Sequence, residues 1–183
     1  MRFEPLPLAG AHVIIPEPRG DERGWFGRFY CDEALSAIGH VGPIRQINRS
    51  VTERAGTVRG LHFQRPPFAE VKIVSCLRGA IQDVIVDIRR NSPTFLRWTG
   101  RVLSGENREM LYVPAGFAHG FQALEDGVEI QYLVTQPYSP GHEGGLRFDD
   151  PVLGVGWTLA ATAVSAKDRA HALITDEFQG VDI

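Results

Sequence analysis

Short runs of β-branched and aromatic residues, separated by turns rich in glycine and proline, recur along the whole chain. Runs of this length and composition are typical of β-strands, and turn sequences such as PRGDERG, RRNSPT and EDG separate them. The pattern predicts strands at 11–15, 25–30, 44–50, 58–64, 71–77, 80–88, 98–103, 110–113, 117–123 and 128–134.

Helical signals occur in only two places. In DEALSAIG, Asp32 is predicted to cap the first turn and Gly39 to end the helix. A second short helical segment is predicted in AVSAKDRAHAL, from about residue 163 onward. Because helices do not alternate with the strands, the pattern favours an all-β antiparallel sandwich or barrel over a parallel sheet.

Length and composition indicate one ordinary globular domain spanning residues 1–183. Hydrophobic residues make up 43% and charged residues 22%, which excludes the disordered and fibrous classes. Lys and Arg number 19 against 22 Asp and Glu, a net charge of −3 without long charged runs. This balance argues against nucleic-acid binding and leaves room for a local basic pocket for a small anionic ligand.

The cysteines and the N-terminus bear on the cellular compartment. Cys31 and Cys76 have no metal-binding spacing and are too few for a disulfide scaffold, so we expect free thiols in a reducing compartment. The first residues show no signal-peptide pattern, and no apolar run reaches transmembrane length. The sequence therefore predicts a soluble cytoplasmic protein that does not act at a membrane.

The stretch TVRGLHFQRPPFAEVK carries polar groups in what reads as a buried strand. Alternation places His62 and Gln64 on one face and Arg59 on the other, unless a bulge at Gly60 changes the register. Lys72 follows among apolar residues in VKIVSCL, where an unpaired ammonium is costly. A hydrogen-bonded core histidine and a lysine that extends to solvent are the structural alternatives to a functional site.

The stretch PAGFAH, ending at His119, is similar to the second half of the metal-binding motif of cupins, which are small β-barrels. The first half would be supplied by His62, Gln64 and Glu70. Gln64 stands where a second imidazole is expected, which leaves a poor ligand set for a transition metal. We therefore expect no metal and no cofactor, and a metal-dependent enzyme is the weaker hypothesis.

The same polar residues suit metal-free acid–base chemistry at a carbon beside a ketone. His62 has the pKa range of a base that removes a proton beside a ketone, and Lys72 suits stabilisation of the enolate oxygen. Tyr132, which shares a strand face with apolar residues in EIQYLV, is a candidate acid for the opposite side. A carboxylate behind the histidine would fix its tautomer, but periodicity does not select it among the 22 acidic residues.

Seven motifs, in order along residues 21–168, carry a resemblance to a known family. They are DERGWF, QINRSVTERAGTVRGLHFQ, VKIV, VIVDIRRNSPT, LSGENREMLYVPAGFAHGFQAL, YLVTQPYSP and AVSAKD. With these motifs the chain resembles the dTDP-4-dehydrorhamnose 3,5-epimerases. The resemblance implies a homodimer of cupin-type jelly rolls (double-stranded β-helices) that needs no cofactor. It also implies inversion of C3 and C5 of dTDP-4-dehydro-6-deoxy-D-glucose, through an enolate, to give dTDP-4-dehydro-L-rhamnose.

The resemblance also implies roles for individual residues. His62 matches the base, Asp168 its carboxylate partner, Tyr132 the acid and Lys72 the strand lysine. Positions that match substrate contacts are Arg23, Arg28, Gln46, Ile47, Asn48, Arg59, His119, Tyr138, Glu143 and Lys167. Tyr138 packing against a turn, Lys167 in solvent and Phe26 in the core are the structural alternatives for those side chains.

One position departs from the family pattern, because Arg28 stands in DERGWFGR where the family usually has glutamate. This leaves the exact nucleotide sugar open, and a place in the site of a partner subunit is one alternative for Arg28. Two other functions stay open: an epimerase that inverts only C3 or C5, or acts on another nucleoside-diphosphate 4-keto sugar, and a non-catalytic cupin that binds a sugar nucleotide.

Overall fold

The computed structural model describes all residues, Met1–Ile183, and consists mainly of antiparallel strands. The strands are β1 (Arg2–Pro5), β2 (His12–Ile15), β3 (Arg19–Asp21), β4 (Gly24–Phe26), β5 (Gln46–Thr52), β6 (Thr57–Gln64), β7 (Lys72–Arg78), β8 (Ala80–Asp87), β9 (Trp98–Ser104), β10 (Met110–Val113), β11 (Phe117–Ala123), β12 (Val128–Val134), β13 (Glu143–Gly145) and β14 (Ala163–Val164). The helices are α1 (Asp32–Ser36) and α2 (Ala166–Arg169), with a 3₁₀ turn at Pro140–His142. No helix has the length and apolar character needed to cross a membrane.

Two sheets form the body of the fold. Sheet I has the order β1-β2-β10-β7-β12-β5, and sheet II has the order β13-β6-β11-β8-β9. β14 adds to sheet II as a parallel partner of β6, while β3 and β4 form a separate hairpin. Apart from β1–β2 and β8–β9, neighbouring strands are not consecutive in the chain, so long-range pairing holds both sheets together.

Apolar side chains fill three layers around the sheets. The largest cluster includes Val74, Ile85 and Phe121 and contains inward-facing residues of both sheets. A second cluster covers the other face of sheet II with residues of the C-terminal segment, such as Leu153. A third packs α1, through Leu35, against the other face of sheet I. Since both faces of the central strands are covered, β8 is buried along almost its whole length.

The ten predicted strands are confirmed, with ends that differ by up to a few residues. The largest difference is at 25–30, of which only the start lies in β4. Four short strands were not predicted, namely β1, β3, β13 and β14. Segments such as EGG in β13 carry no alternating apolar pattern, and only pairing with β6 makes them strands.

Both helices are shorter than predicted. Cys31, not Asp32, is the N-cap residue of α1, and it makes no side-chain capping hydrogen bond. The C-terminal helix is limited to four residues, capped by the Ser165 hydroxyl, which accepts a hydrogen bond from the backbone N–H of Asp168. The cap therefore fixes the position of Asp168 at the start of α2.

A bulge in β6 at Gly60, which the sequence left open as an alternative to strict alternation, sets the orientation of Arg59. Arg59 is paired with Phe121 and His62 with His119, so β6 has one more residue than β11 between these pairs. Gly60 allows this, since it has φ of +114°, and a Cβ added there would lie 2.6 Å from the Cα of Gly120. Arg59 therefore lies on the same face as His62, contrary to strict alternation.

Candidate active site

A cleft lies between the inner faces of the two sheets. One cavity of about 570 Å³ adjoins a second of about 340 Å³, and His62, Lys72 and Tyr132 line both. The first cavity is also lined by Arg59, His119, Lys167 and Asp168. The second is also lined by Gln46, Asn48, Gln64, Glu70, Tyr138 and Glu143. The three shared residues stand at the junction, so a ligand that extends through both cavities passes them.

His62 forms a hydrogen-bonded pair with the buried Asp168. The Nε2 atom of His62 lies 2.7 Å from Oδ1 of Asp168, and Oδ2 of Asp168 accepts the Gly60 backbone N–H at 3.2 Å. The side chain of Asp168 is 4% exposed and that of His62 is 34% exposed. The carboxylate is therefore fixed behind the imidazole, while the imidazole itself remains accessible from the cleft.

The protonation state of this pair follows from its surroundings. Burial lowers the pKa of His62 below 6.5, although the Asp168 carboxylate acts in the opposite direction. Burial acts to raise the pKa of Asp168, but hydrogen bonds from His62 and Gly60 outweigh it and the pKa is lowered. At neutral pH the pair is thus a neutral imidazole that donates Nε2–H to a carboxylate, which leaves the lone pair on Nδ1.

Sheet I contributes an ammonium and a phenol to the same cleft. Lys72, at the start of β7, has its Nζ 3.2 Å from Oε1 of Glu70, and both side chains are largely buried. Tyr132 is in β12, paired with Asn48 of β5 on one side and Val74 of β7 on the other. Burial, followed by the nearby Glu70 charge, raises the pKa of Tyr132 above 10. The phenol therefore keeps its proton through neutral pH.

A second histidine–carboxylate pair lies beside the first and was not predicted. Nε2 of His119 lies 2.7 Å from Oδ1 of Asp83, whose side chain is fully buried. His119 was expected at the site, but Asp83, which alternates with Ile81 and Ile85 in β8, was not among the predicted site residues. The signal was present, since a carboxylate on a buried strand face needs a partner.

The second cavity is bordered by a chain of hydrogen bonds. Oε2 of Glu143 accepts the Tyr138 hydroxyl at 2.9 Å and the Lys167 ammonium at 2.6 Å, and Gln46 Oε1 accepts the Tyr138 backbone N–H at 3.0 Å. Burial acts to raise the pKa of Glu143, but the bonds from Lys167 and Tyr138 lower it. The Tyr138 ring is 58% exposed, so it stands at the rim rather than packed in a turn.

Three residues expected at the site, Arg23, Arg28 and Ile47, lie elsewhere in this chain. Arg23 is paired with Asp21 in the β3–β4 hairpin, and its side chain is 82% exposed. Arg28 lines a separate cavity next to the N-terminus. Ile47 is 63% exposed, on the face of β5 opposite Gln46 and Asn48. Phe26, considered as a core residue, is 76% exposed instead.

The residues in the cupin metal positions have other partners. The side-chain amide of Gln64 donates to Glu70 and to the carbonyl groups of Phe68 and Pro137, and its oxygen accepts the Ser139 N–H. With Glu70 also paired to Lys72, these groups form a supporting network for the ammonium.

Sequence comparison assigns the chain to a family. The family model described as dTDP-4-dehydrorhamnose 3,5-epimerase matches residues 5–176. The chain belongs to this family. It is therefore an isomerase of the epimerase type, as the motifs predicted.

Individual relatives agree over nearly the whole chain. The dTDP-4-dehydrorhamnose 3,5-epimerase of Sinorhizobium fredii is 46% identical over 173 residues, which cover 93% of this chain and 88% of the relative. The crystal structure of the Bacillus anthracis 3,5-epimerase, with TDP and PPi bound, has a TM-score of 0.91 at 39% identity and covers 94% of this chain and 99% of that one. This similarity confirms the predicted jelly roll. The dTDP-4-dehydrorhamnose 3-epimerase of Streptomyces niveus is 38% identical, covering 96% of this chain and 85% of the relative.

Proposed function

We propose that the protein inverts C3 and C5 of dTDP-4-dehydro-6-deoxy-D-glucose, giving dTDP-4-dehydro-L-rhamnose by metal-free acid–base catalysis. The observation that carries the proposal is the placement of the His62–Asp168 pair on one sheet and of Lys72 and Tyr132 on the other, around one cleft. A base and an acid on opposite walls are what inversion at carbon requires.

Proton removal is assigned to His62. Its neutral imidazole holds a lone pair on Nδ1, while Asp168 keeps the Nε2 proton and stabilises the imidazolium that forms. The C4 ketone of the substrate acidifies the protons on both C3 and C5, so one base placed beside this ketone serves both carbons in turn. General bases of this kind contribute roughly 10²–10⁴-fold to rate.

Stabilisation of the enolate oxygen is assigned to Lys72. The ammonium is held in place by Glu70 and faces the cleft that is lined by His62 and Tyr132. A fixed positive donor in a partly desolvated site stabilises negative charge as it develops, without reorganisation. Glu70 is in this view a positioning residue for the lysine.

Return of the proton is assigned to Tyr132. Its raised pKa keeps the hydroxyl protonated, and its strand lies in the sheet opposite His62. A proton delivered from this wall reaches the face of the enolate opposite to the one from which His62 removed it. The configuration at that carbon is then inverted, and proton exchange with water returns His62 to the neutral imidazole and Tyr132 to the phenol before the second carbon reacts.

The nucleotide part of the substrate is assigned to the rim of the cleft. Arg59 supplies a guanidinium suited to phosphate oxygens, and the exposed Tyr138 ring offers a face for a base to stack on. Asn48, Gln46, His119, Glu143 and Lys167 are proposed as further contacts. The TDP and PPi bound in the Bacillus anthracis relative support a ligand of this class.

The test is NMR of dTDP-4-dehydro-6-deoxyglucose incubated with the enzyme in D₂O. We expect deuterium at both C3 and C5, and no exchange at either carbon with the His62→Ala variant. Exchange at the wild-type rate in that variant would remove His62 as the base, and no exchange with the wild-type protein would contradict the proposed reaction.

A second candidate is an epimerase that inverts one carbon only. It is favoured by one observation, the similarity to the 3-epimerase of Streptomyces niveus over most of the chain. Because the acid and base serve either reaction, the same labelling experiment decides between them: deuterium at C3 alone would replace the leading proposal with this one.

We also propose that the protein is a homodimer in the cytoplasm. Trp25, Phe26 and Ile47 are more than half exposed, and large apolar side chains exposed to this extent are candidates for contact with a partner. Arg23 and Arg28, in or next to the β3–β4 hairpin, would then reach the cleft of the partner subunit. Light scattering with Phe26→Asp tests this, since a monomer is expected for the variant.

Cys31 and Cys76 are free thiols, in keeping with a reducing compartment, which cell fractionation can check.

A further inference from the structure

We propose that His62, Asp168 and His171 form a binding site for a divalent transition-metal ion, represented by Zn²⁺, and that its occupancy turns off the catalytic base. One potential ligand atom from each of these residues lies within 4.8 Å of the other two. The carboxylate is buried and the two imidazoles are partly buried. His62 and Asp168 line the cleft, and His171 stands beside the His62 ring.

A gap in the neighbouring strand gives His171 its place in this cluster. Gly145 of β13 is paired with His62 of β6, and a Cβ on Gly145 would collide with the His171 ring. The ring therefore fills the space that the missing side chain leaves. It lies edge-on to the His62 ring, with centroids 6.3 Å apart and planes at 71°.

The Nε2 atom of His171 is buried and has no hydrogen-bond partner in the protein. A buried ring nitrogen without a partner is unfavourable, so a ligand that used this nitrogen would stabilise the side chain in its present position. A metal ion shared with His62 and Asp168 would use it. This nitrogen has no role in the acid–base chemistry proposed above.

The ligand chemistry fits zinc. Two imidazole nitrogens and a carboxylate are a ligand set that leaves one position of a tetrahedral ion open. Ligand atoms about 2.0–2.1 Å from Zn²⁺ lie roughly 3.4 Å from one another, so a pair at the 4.8 Å limit has to approach by about 1.4 Å. The contact between Nε2 of His62 and Oδ1 of Asp168, at 2.7 Å, has to lengthen if these two atoms are the ligands. Rotation of the partly exposed His62 side chain can supply both adjustments, while Asp168 stays fixed by Gly60 and Ser165.

The consequence for catalysis follows from the two nitrogens of His62. A metal ion on Nδ1 occupies the lone pair that is needed as base. A metal ion on Nε2 leaves the remaining ring proton on Nδ1, with the same result. Zinc would thus inhibit; this consequence rests on the proposed function of His62, whereas the binding itself does not.

Binding is tested on the purified full-length protein after treatment with EDTA and removal of the chelator. Zn²⁺ is titrated in competition with a chromophoric chelator, and the wild type, His171→Ala and Gly145→Ala are compared. Loss of an outer partner of a metal ligand costs about 10–100-fold in affinity, so loss of a ligand is expected to weaken Zn²⁺ binding by at least about 100-fold. Gly145→Ala should also weaken binding, because it displaces the His171 ring.

His12→Ala is the matched control. His12 lies in β2, outside the cluster, and its ring hydrogen-bonds to the backbone carbonyl of Gly10. This variant should bind Zn²⁺ as the wild type does. Equal affinity in the wild type and in His171→Ala, or the absence of binding in the wild type, would overturn the proposal. Circular dichroism of each variant establishes that it is folded.

Inhibition is measured as the rate at which substrate protons exchange with D₂O at increasing Zn²⁺ concentrations. The rate of each protein is divided by its own rate without metal. The wild type should be inhibited at a concentration that His171→Ala tolerates; equal inhibition of both would contradict the switch. If the protein showed no exchange under any condition, the proposed function would fail, while His171-dependent binding would still establish the metal site.

Discussion

His62 and His119 form a directly opposed pair on the neighbouring strands β6 and β11, and each directs its Nε2 atom to its own carboxylate at 2.7 Å. The two carboxylates come from different elements, Asp168 from α2 and Asp83 from β8. The side chain of His62 is 34% exposed and that of His119 only 9%. The more accessible ring is suited to proton transfer, and the buried one to a fixed contact with substrate.

Asp168→Asn should lower kcat by about 100-fold or more, since an amide in this position can fix the wrong tautomer of His62. The carboxylate also acts to raise the pKa of His62, so its removal should lower that pKa further. Because activity requires neutral His62, the acidic limb of the kcat/KM profile should lie below pH 6.5 in the wild type and shift to lower pH in the variant. A variant with an unchanged kcat would contradict the role of Asp168.

Tyr132→Phe should keep proton exchange into substrate while losing inversion, because removal of a proton does not require the acid on the opposite wall. The products are distinguished by NMR coupling constants in D₂O. In the wild type the basic limb of kcat should lie above pH 10, since burial raises the pKa of Tyr132. Inverted product from the variant at the wild-type rate would assign the acid to another group.

Lys72→Met should lower both kcat and stability. The enolate loses its positive donor, for which we expect a drop in kcat of about 100-fold. Glu70 is left as a largely buried carboxylate without its cation, which should cost about 3 kcal/mol in the free energy of unfolding. The double variant Lys72→Met, Glu70→Gln is the control: denaturant unfolding should show regained stability, and kinetics should show no regained rate. A double variant with restored activity would place the catalytic effect on Glu70 instead.

His119→Ala should raise KM and lower the free energy of unfolding by about 3 kcal/mol, because it leaves the fully buried Asp83 without a donor. In the double variant Asp83→Ala, His119→Ala the unpaired charge is gone, so stability should partly return while KM stays high. An unchanged KM in both variants would make the pair purely structural.

Arg28→Glu should change KM for the nucleotide sugar with little effect on kcat. The residue lies outside the cleft of its own chain, so this effect requires the proposed dimer. Kinetics should therefore be measured together with light scattering, with Arg2→Glu as a surface-charge control, since Arg2 pairs only with Glu4 on β1. If the dimer persists and KM does not move, Arg28 has no role toward substrate.

Local pattern was sufficient for most of the strands and failed where pairing alone makes a strand. β6, β8 and β12 have the alternation and the β-branched residues that specify a strand in isolation. β13, with the sequence EGG, has neither. It is a strand because it pairs with β6, where Gly145 lies opposite His62. Local alternation was likewise insufficient for Arg59. Its orientation depends on a bulge in β6 that the facing Gly120, which has no side chain, makes possible.

By itself the sequence determined the fold class, the family motifs and the polar side chains that interrupt apolar strands, because these are local properties of residue type and spacing. The family motifs implied Asp168 as the partner of His62, but only the tertiary structure brought that pair into contact and placed Asp83 behind His119, since 106 residues separate the first pair and 36 the second. Those pairings depend on sheet registers and on a helix cap at the far end of the chain. Residue spacing along the chain contains no information about such contacts.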